Sequence, residues 1–158
     1  MLFIVDLVIY KIFANILVKR LSPYTGQIIG DYQSGFRRDR SIMDHIFALR
    51  SILGKCYEYN ITLHQLFIDF KQAYDSTNRQ KLILMLEEFK IPRKLINLIG
   101  MTLRNTTGGV KVQNMMTEEF AINKGTRQGD ALSTQLFNVV LEEVMRHIQI
   151  NKEGNIYT

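Results

Sequence analysis

The sequence predicts an α+β fold in which helices pack on an incomplete antiparallel sheet. Three observations lead there. Long stretches carry apolar residues at helical spacing, residues 63–70 form a short apolar run of strand character, and residues 109–123 alternate. The chain has 158 residues, 46% hydrophobic and 22% charged, which is an ordinary globular mix and enough for one core. That mix excludes disordered and low-complexity classes.

The first helix is predicted over residues 2–21, where Leu7, Tyr10, Ala14, Leu17 and Leu21 recur on one face. Asp6, Lys11 and Asn15 interrupt its apolar run, so a buried helix is expected and not a membrane span. Ser22-Pro23 should break it, with Gly26, Gly30 and Gly35 marking a loop. A second helix opens at Ser41 with Asp44 at capping-box spacing, and turns Ile42, Ile46, Leu49 and Ile52/Leu53 to one side. Residues 63–70 read as a buried strand. A helix at about 77–89 presents Leu82, Met85/Leu86 and Phe89, and Pro92 opens another that runs to about Leu103. A hairpin follows over 109–123 with its turn across Asn114–Thr117. The last helix, from about Asp130 to Ile150, faces a core with Leu132, Leu136, Val139/Val140, Val144 and Ile148.

Charge is distributed unevenly. Residues 19–55 hold seven Lys/Arg against three Asp/Glu, residues 92–128 hold six against two, and the stretch between them holds four against five. Two basic blocks flanking a slightly acidic middle suit a polyanion partner, although two solvated basic faces explain charge alone equally well. The single cysteine, Cys56, excludes an internal disulfide framework, and His45, His64 and His147 lack metal-ligand spacing. No run of five basic residues marks a nuclear address.

Three stretches carry candidate chemistry. Asp69 ends the apolar run Leu66-Phe67-Ile68-Asp69-Phe70, where a carboxylate is costly unless paired, metal-bound or facing solvent. Asp75, six residues on, reads as a turn or cap. In Lys124-Gly125-Thr126-Arg127-Gln128-Gly129-Asp130, two glycines before a helix allow close approach of backbone to a ligand. A flexible turn with Asp130 as the cap explains the same residues. In Gln33–Ser41, Arg37, Arg38 and Arg40 beside Phe36 suit phosphates, or form an exposed basic turn.

The order and spacing of Gln33–Ser41, Leu66–Ser76 (LFIDFKQAYDS) and Arg127–Ser133 (RQGDALS) carry a further reading. With them, the chain resembles the reverse transcriptase domain of non-long-terminal-repeat (LINE-type) retrotransposons, from about Tyr10 to Tyr157. The resemblance implies the fingers and a partial palm of a right-hand polymerase, with residues 1–60 fingers-like and 61–158 palm-like. It implies RNA-directed DNA synthesis by two-metal nucleotidyl transfer. The expected partners are an RNA template, a DNA primer and deoxynucleoside triphosphates, with Mg²⁺ or Mn²⁺ as cofactor, in an intracellular setting.

Residue by residue, the resemblance makes Asp69 a catalytic metal ligand and gives the Phe70 carbonyl a share in one metal. It puts Tyr74 beneath the incoming sugar, and Gln128 and Gly129 against the incoming nucleotide and the templating base. Arg37 and Arg40 approach the template or triphosphate, and Arg38, Lys71 and Arg127 contact nucleic-acid phosphates. Asp75 is given a structural role. Ala131 and Thr134 stand where the family usually has prolines. The family's aromatic-x-Asp-Asp hairpin has no counterpart, since no two aspartates are adjacent. A domain truncated at both ends is therefore expected, either a fragment of a working polymerase or an inactive remnant that at most binds nucleic acid or a protein.

Overall fold

A computed structural model describes the backbone of residues 2–112, 115–126 and 130–148, with side chains from Val8 onward. It divides into two compact units, Met1–Ile29 with Gln72–Thr158, and Gly30–Lys71.

The larger unit is built from four helices and a hairpin. Helix α1 spans Leu2–Ile28. It does not stop at Ser22-Pro23 as expected, and Gly26 lies inside it. Proline removes one backbone donor and loosens the preceding turn. Here the Ser22 hydroxyl donates to the Val18 carbonyl at 2.8 Å, and the Thr25 hydroxyl reaches Ser22 O at 3.2 Å. Leu17, Leu21, Thr25 and Ile29 are all buried, so packing on both sides of Pro23 keeps the helix running.

Of the helices numbered in chain order, α3 (Arg79–Glu88) starts where Asn78 accepts from the backbone N–H of Gln80 and Lys81, both at 3.0 Å. Helix α4 (Arg93–Leu103) follows Pro92, and α5 (Ala131–His147) is capped by Asp130, which accepts from Leu132 N at 3.1 Å. The core is helix on helix. Ala14, Leu17 and Leu21 of α1 meet Leu82 and Leu86 of α3, Leu95, Ile96 and Ile99 of α4, and Leu132, Leu136 and Val139 of α5. Helices and small antiparallel ladders do coexist, as expected, but no strand residue joins the buried cluster among the described residues. Val144 and Ile148, expected in the core, are exposed, since Val144 stands about 200° round α5 from buried Glu142 and Ile148 lies past the helix end. Arg146 fastens that end instead, pairing with buried Glu142 at 2.7 Å, donating to Ile28 O at 2.8 Å and covering the Phe89 ring.

The hairpin is present. Strand β1 (Thr107–Gly108) pairs antiparallel with β4 (Phe120–Ala121), and β2 (Lys111–Val112) with β3 (Met115–Met116). Thr107 faces Ala121 while Lys111 faces Met116, so one extra residue lies on the returning strand between the ladders, which is a bulge. The innermost pair is Val112↔Met115, so Met115 and Met116 belong to the ladder and not to the turn expected across Asn114–Thr117.

In the smaller unit, α2 (Ile42–Glu58) begins where Ser41 accepts from Met43 N at 3.1 Å. Its apolar face is uncovered, with Ile42, Ile46, Leu49, Ile52 and Leu53 all exposed. Residues 61–70 form neither helix nor strand, and Leu66, Phe67 and Ile68 are exposed. The expected buried strand at 63–70 is thus corrected. β-propensity makes a strand only when a neighbouring strand supplies the ladder, and none does so among the described residues.

Candidate functional site

Within the smaller unit, Asp69 and Phe70 end an exposed segment that is neither helix nor strand, and Lys71 opens the turn after it. The arginine stretch is more ordered than an exposed basic turn would be. Arg37 donates to Gly30 O at 2.6 Å and Gln33 O at 3.0 Å, closing its own loop, and Arg40 pairs with Asp31. The loop needs two left-handed residues, Phe36 at φ 55° and Asp39 at φ 59°. Arg38 is exposed, with no ion pair among the described residues. Ser34 is buried, and its hydroxyl lies 2.8 Å from His45 Nε2 on α2.

Within the larger unit, two of the motif segments are locked together. Thr126 N donates to Tyr74 O at 2.9 Å, and Gly125 N donates to Thr77 O at 2.8 Å. Gly125 sits at φ +78°, and a Cβ there would fall 2.8 Å from Cα and O of Asp75. Its glycine is therefore required by internal packing of the chain on itself. Tyr74 is half-buried and its ring stacks at a tilt on Phe137 of α5, 5.2 Å between centroids. Asp130 caps α5 through one oxygen and accepts from the Tyr10 hydroxyl at 2.6 Å through the other. Arg127, Gln128 and Gly129 lie outside the described residues.

Sequence reasoning missed Arg79. Its guanidinium donates to Gly125 O at 2.7 Å, Leu103 O at 2.6 Å, Ile122 O at 2.7 Å and the Thr106 hydroxyl at 2.5 Å. One side chain thus ties the start of α3, the end of α4, the hairpin and the Gly125 loop. The only signal in the sequence was a charged residue in the first turn of a helix that would otherwise favour acidic ones.

A divalent ion of the Mg²⁺ class is held by about six oxygens. Among the described residues no three His, Cys, Asp or Glu side chains come together, and Asp69 stands on an exposed segment. The described residues therefore do not make a metal site by themselves. No helix among them is long and apolar enough to cross a membrane.

The model of the reverse transcriptase (RNA-dependent DNA polymerase) family matches residues 4–157. The chain belongs to this family. It is similar to the Transposon TX1 uncharacterized 149 kDa protein of Xenopus laevis, 28% identical over 133 residues, covering 84% of this chain and 10% of that protein. It is similar also to the retrovirus-related Pol polyprotein from type-1 retrotransposable element R2 of Popillia japonica, 26% identical over 140 residues, with 88% and 19% covered. A like-named protein of Nasonia vitripennis is 32% identical over 89 residues, with 56% and 9% covered. The chain thus spans between about a tenth and a fifth of the length of these relatives. No solved structure matches. The kinship expected with non-long-terminal-repeat retrotransposon reverse transcriptases stands, and this is reverse transcriptase domain sequence of that kind. Members of such a family work on a nucleic-acid template and primer with nucleotide substrates, and generally with divalent metal.

Proposed function

We propose that this chain contributes one catalytic carboxylate and part of the nucleic-acid surface to an RNA-directed DNA polymerase. The observation that carries this is the family match over residues 4–157, a range within which Asp69 and Gln128-Gly129 fall. Asp69 is the metal-facing carboxylate and Phe70 supplies its carbonyl beside it. Further carboxylates must join Asp69 before Mg²⁺ or Mn²⁺ can be held there. Tyr74, fixed on Phe137, offers a rigid wall against the sugar. Arg37 and Arg40, with Gln128 and Gly129, meet the template or the triphosphate, and Arg38, Lys71 and Arg127 meet phosphates. In polymerase terms residues 1–60 are fingers-like and residues 61–158 palm-like.

Primer extension tests this directly, on an RNA template with Mg²⁺ or Mn²⁺ and deoxynucleotides. We expect no extension by this sequence alone, and extension by a chain that carries the same sequence followed by the Asp-Asp hairpin of a relative. Asp69→Ala in the longer chain should remove extension by a factor of at least about 10³, as expected when one ligand of a two-metal centre is lost. Extension that survives Asp69→Ala would overturn the assignment. The second reading, a non-catalytic remnant that binds nucleic acid or a protein, is favoured by the absence of a three-carboxylate cluster among the described residues. It predicts that the lengthened chain binds template–primer and still fails to extend it.

A further inference from the structure

The larger unit carries a groove of about 830 Å³ bounded by α3, α4 and the β1–β4 ladder. None of the described residues expected to touch nucleic acid lines it. Arg93, Asn97 and Arg104 share one face at and just past α4, spaced i, i+4 and i+11, and all three are exposed. Arg79 also lines the groove, held by the carbonyls of Leu103, Ile122 and Gly125 that fix its position. Neither Arg93 nor Arg104 has an ion pair among the described residues. Among the described residues, Glu87 is the only carboxylate that lines the groove, against the guanidinium groups of Arg79, Arg93 and Arg104. Among the described residues no aromatic residue lines it.

We propose that this groove binds a phosphodiester backbone, as a nucleic-acid contact made by residues other than the described motif residues. The helix rise places Arg93 and Arg104 about 16 Å apart along the axis, roughly five phosphate steps of a duplex strand. Cations spread over that length match a polymer and not a single nucleotide, for which they would have to converge. Asparagine amides between them, Asn97 on α4 and Asn105 and Asn123 beside the ladder, can bond phosphate and sugar oxygens. Without an aromatic surface the groove has nothing for bases to stack on, so its binding is independent of sequence. The choice of nucleic acid over other polyanions rests on the polymerase reading above.

The test is fluorescence anisotropy of the purified chain with labelled 20-nucleotide RNA and DNA single strands of several sequences, across salt concentrations. Arg93→Ala combined with Arg104→Ala should weaken binding about tenfold and flatten the slope of log affinity against log salt by roughly one to two. Lys81→Ala with Lys90→Ala removes equal charge from exposed positions outside the groove, and should change binding less than threefold. Glu87→Gln should tighten binding two- to threefold. The effect should be alike for all sequences, and its size on RNA against DNA tells which strand type the groove prefers. Equal losses in the two double variants would reduce the groove to net charge and overturn the proposal. So would unchanged binding in the Arg93/Arg104 variant while Arg38→Ala with Lys71→Ala weakens it, which leaves the polymerase reading intact. A wild-type chain that binds neither strand overturns both. All the substituted positions in these binding variants are exposed, and a melt beside each checks that the fold is kept.

Discussion

At the scale of single residues, Gly125 and Arg79 decide how the motif loop is held. Gly125→Ala forces a side chain into a left-handed position and drives its Cβ to 2.8 Å from the Asp75 backbone. Left-handed strain costs about 1–2 kcal/mol, and the clash adds to it, so a loss of at least about 2 kcal/mol in urea unfolding is expected. A loss under 0.5 kcal/mol would mean the two segments are not packed as described. Arg79→Met keeps the stem but leaves the carbonyls of Leu103, Ile122 and Gly125 without this donor, with an expected loss of about 2–4 kcal/mol. Arg79→Lys should recover less than half of it, because one ammonium cannot span four oxygens set around a planar fork. The caps at Ser41 and Asp130 were legible in the sequence because a cap and the amides it meets lie within three residues. Arg79 was not, because its partners lie 24 to 46 residues away. Asp69 was legible as a candidate from its apolar flanks, but the described residues show it alone and exposed, so its role rests on the family.

At the scale of elements, local pattern succeeded where an element supplies its own hydrogen bonds and failed where neighbours decide. Helices α3, α4 and α5 lie close to their expected ranges because period and start signals are carried within each segment. The hairpin also emerged, its alternation and short reach making it a local event. Residues 63–70 have strand composition but no partner strand among those described, and composition cannot create one. Helix α1 is the opposite case, since packing of Leu21, Thr25 and Ile29 overrides the breaker at Pro23. This gives a signed prediction. Pro23→Ala restores the missing backbone donor at an exposed position and should stabilise the chain by about 1–2 kcal/mol, part of the roughly 3 kcal/mol a mid-helix proline costs. A stabilisation seen in the denaturation midpoint without a change in slope would fit this account. Destabilisation would mean that the helix needs the bend.

At the scale of the whole molecule, burial is divided between the two units with great inequality. Every residue of the hydrophobic cluster lies in the unit Met1–Ile29 with Gln72–Thr158. In Gly30–Lys71 the one buried side chain among the described residues is Ser34, and α2 turns a full apolar stripe to solvent. A segment opens in proportion to how little apolar area it would expose by opening. Backbone amides of α2 should therefore exchange with free energies well below global unfolding, while those of α4, with Leu95, Ile96, Ile99 and Leu103 buried, should approach it. Limited proteolysis should cut first between residues 61 and 70, where exposed Leu66, Phe67 and Phe70 offer aromatic and aliphatic sites on backbone outside helix and strand. Adding a template–primer should slow that cut if Asp69 and Lys71 lie against nucleic acid, because ligand binding withdraws the open form by mass action. Cleavage that starts instead within α3 or α4, or a rate at 61–70 indifferent to saturating template–primer, would detach Asp69 from the binding surface and leave the groove on α4 as the chain's contact with nucleic acid.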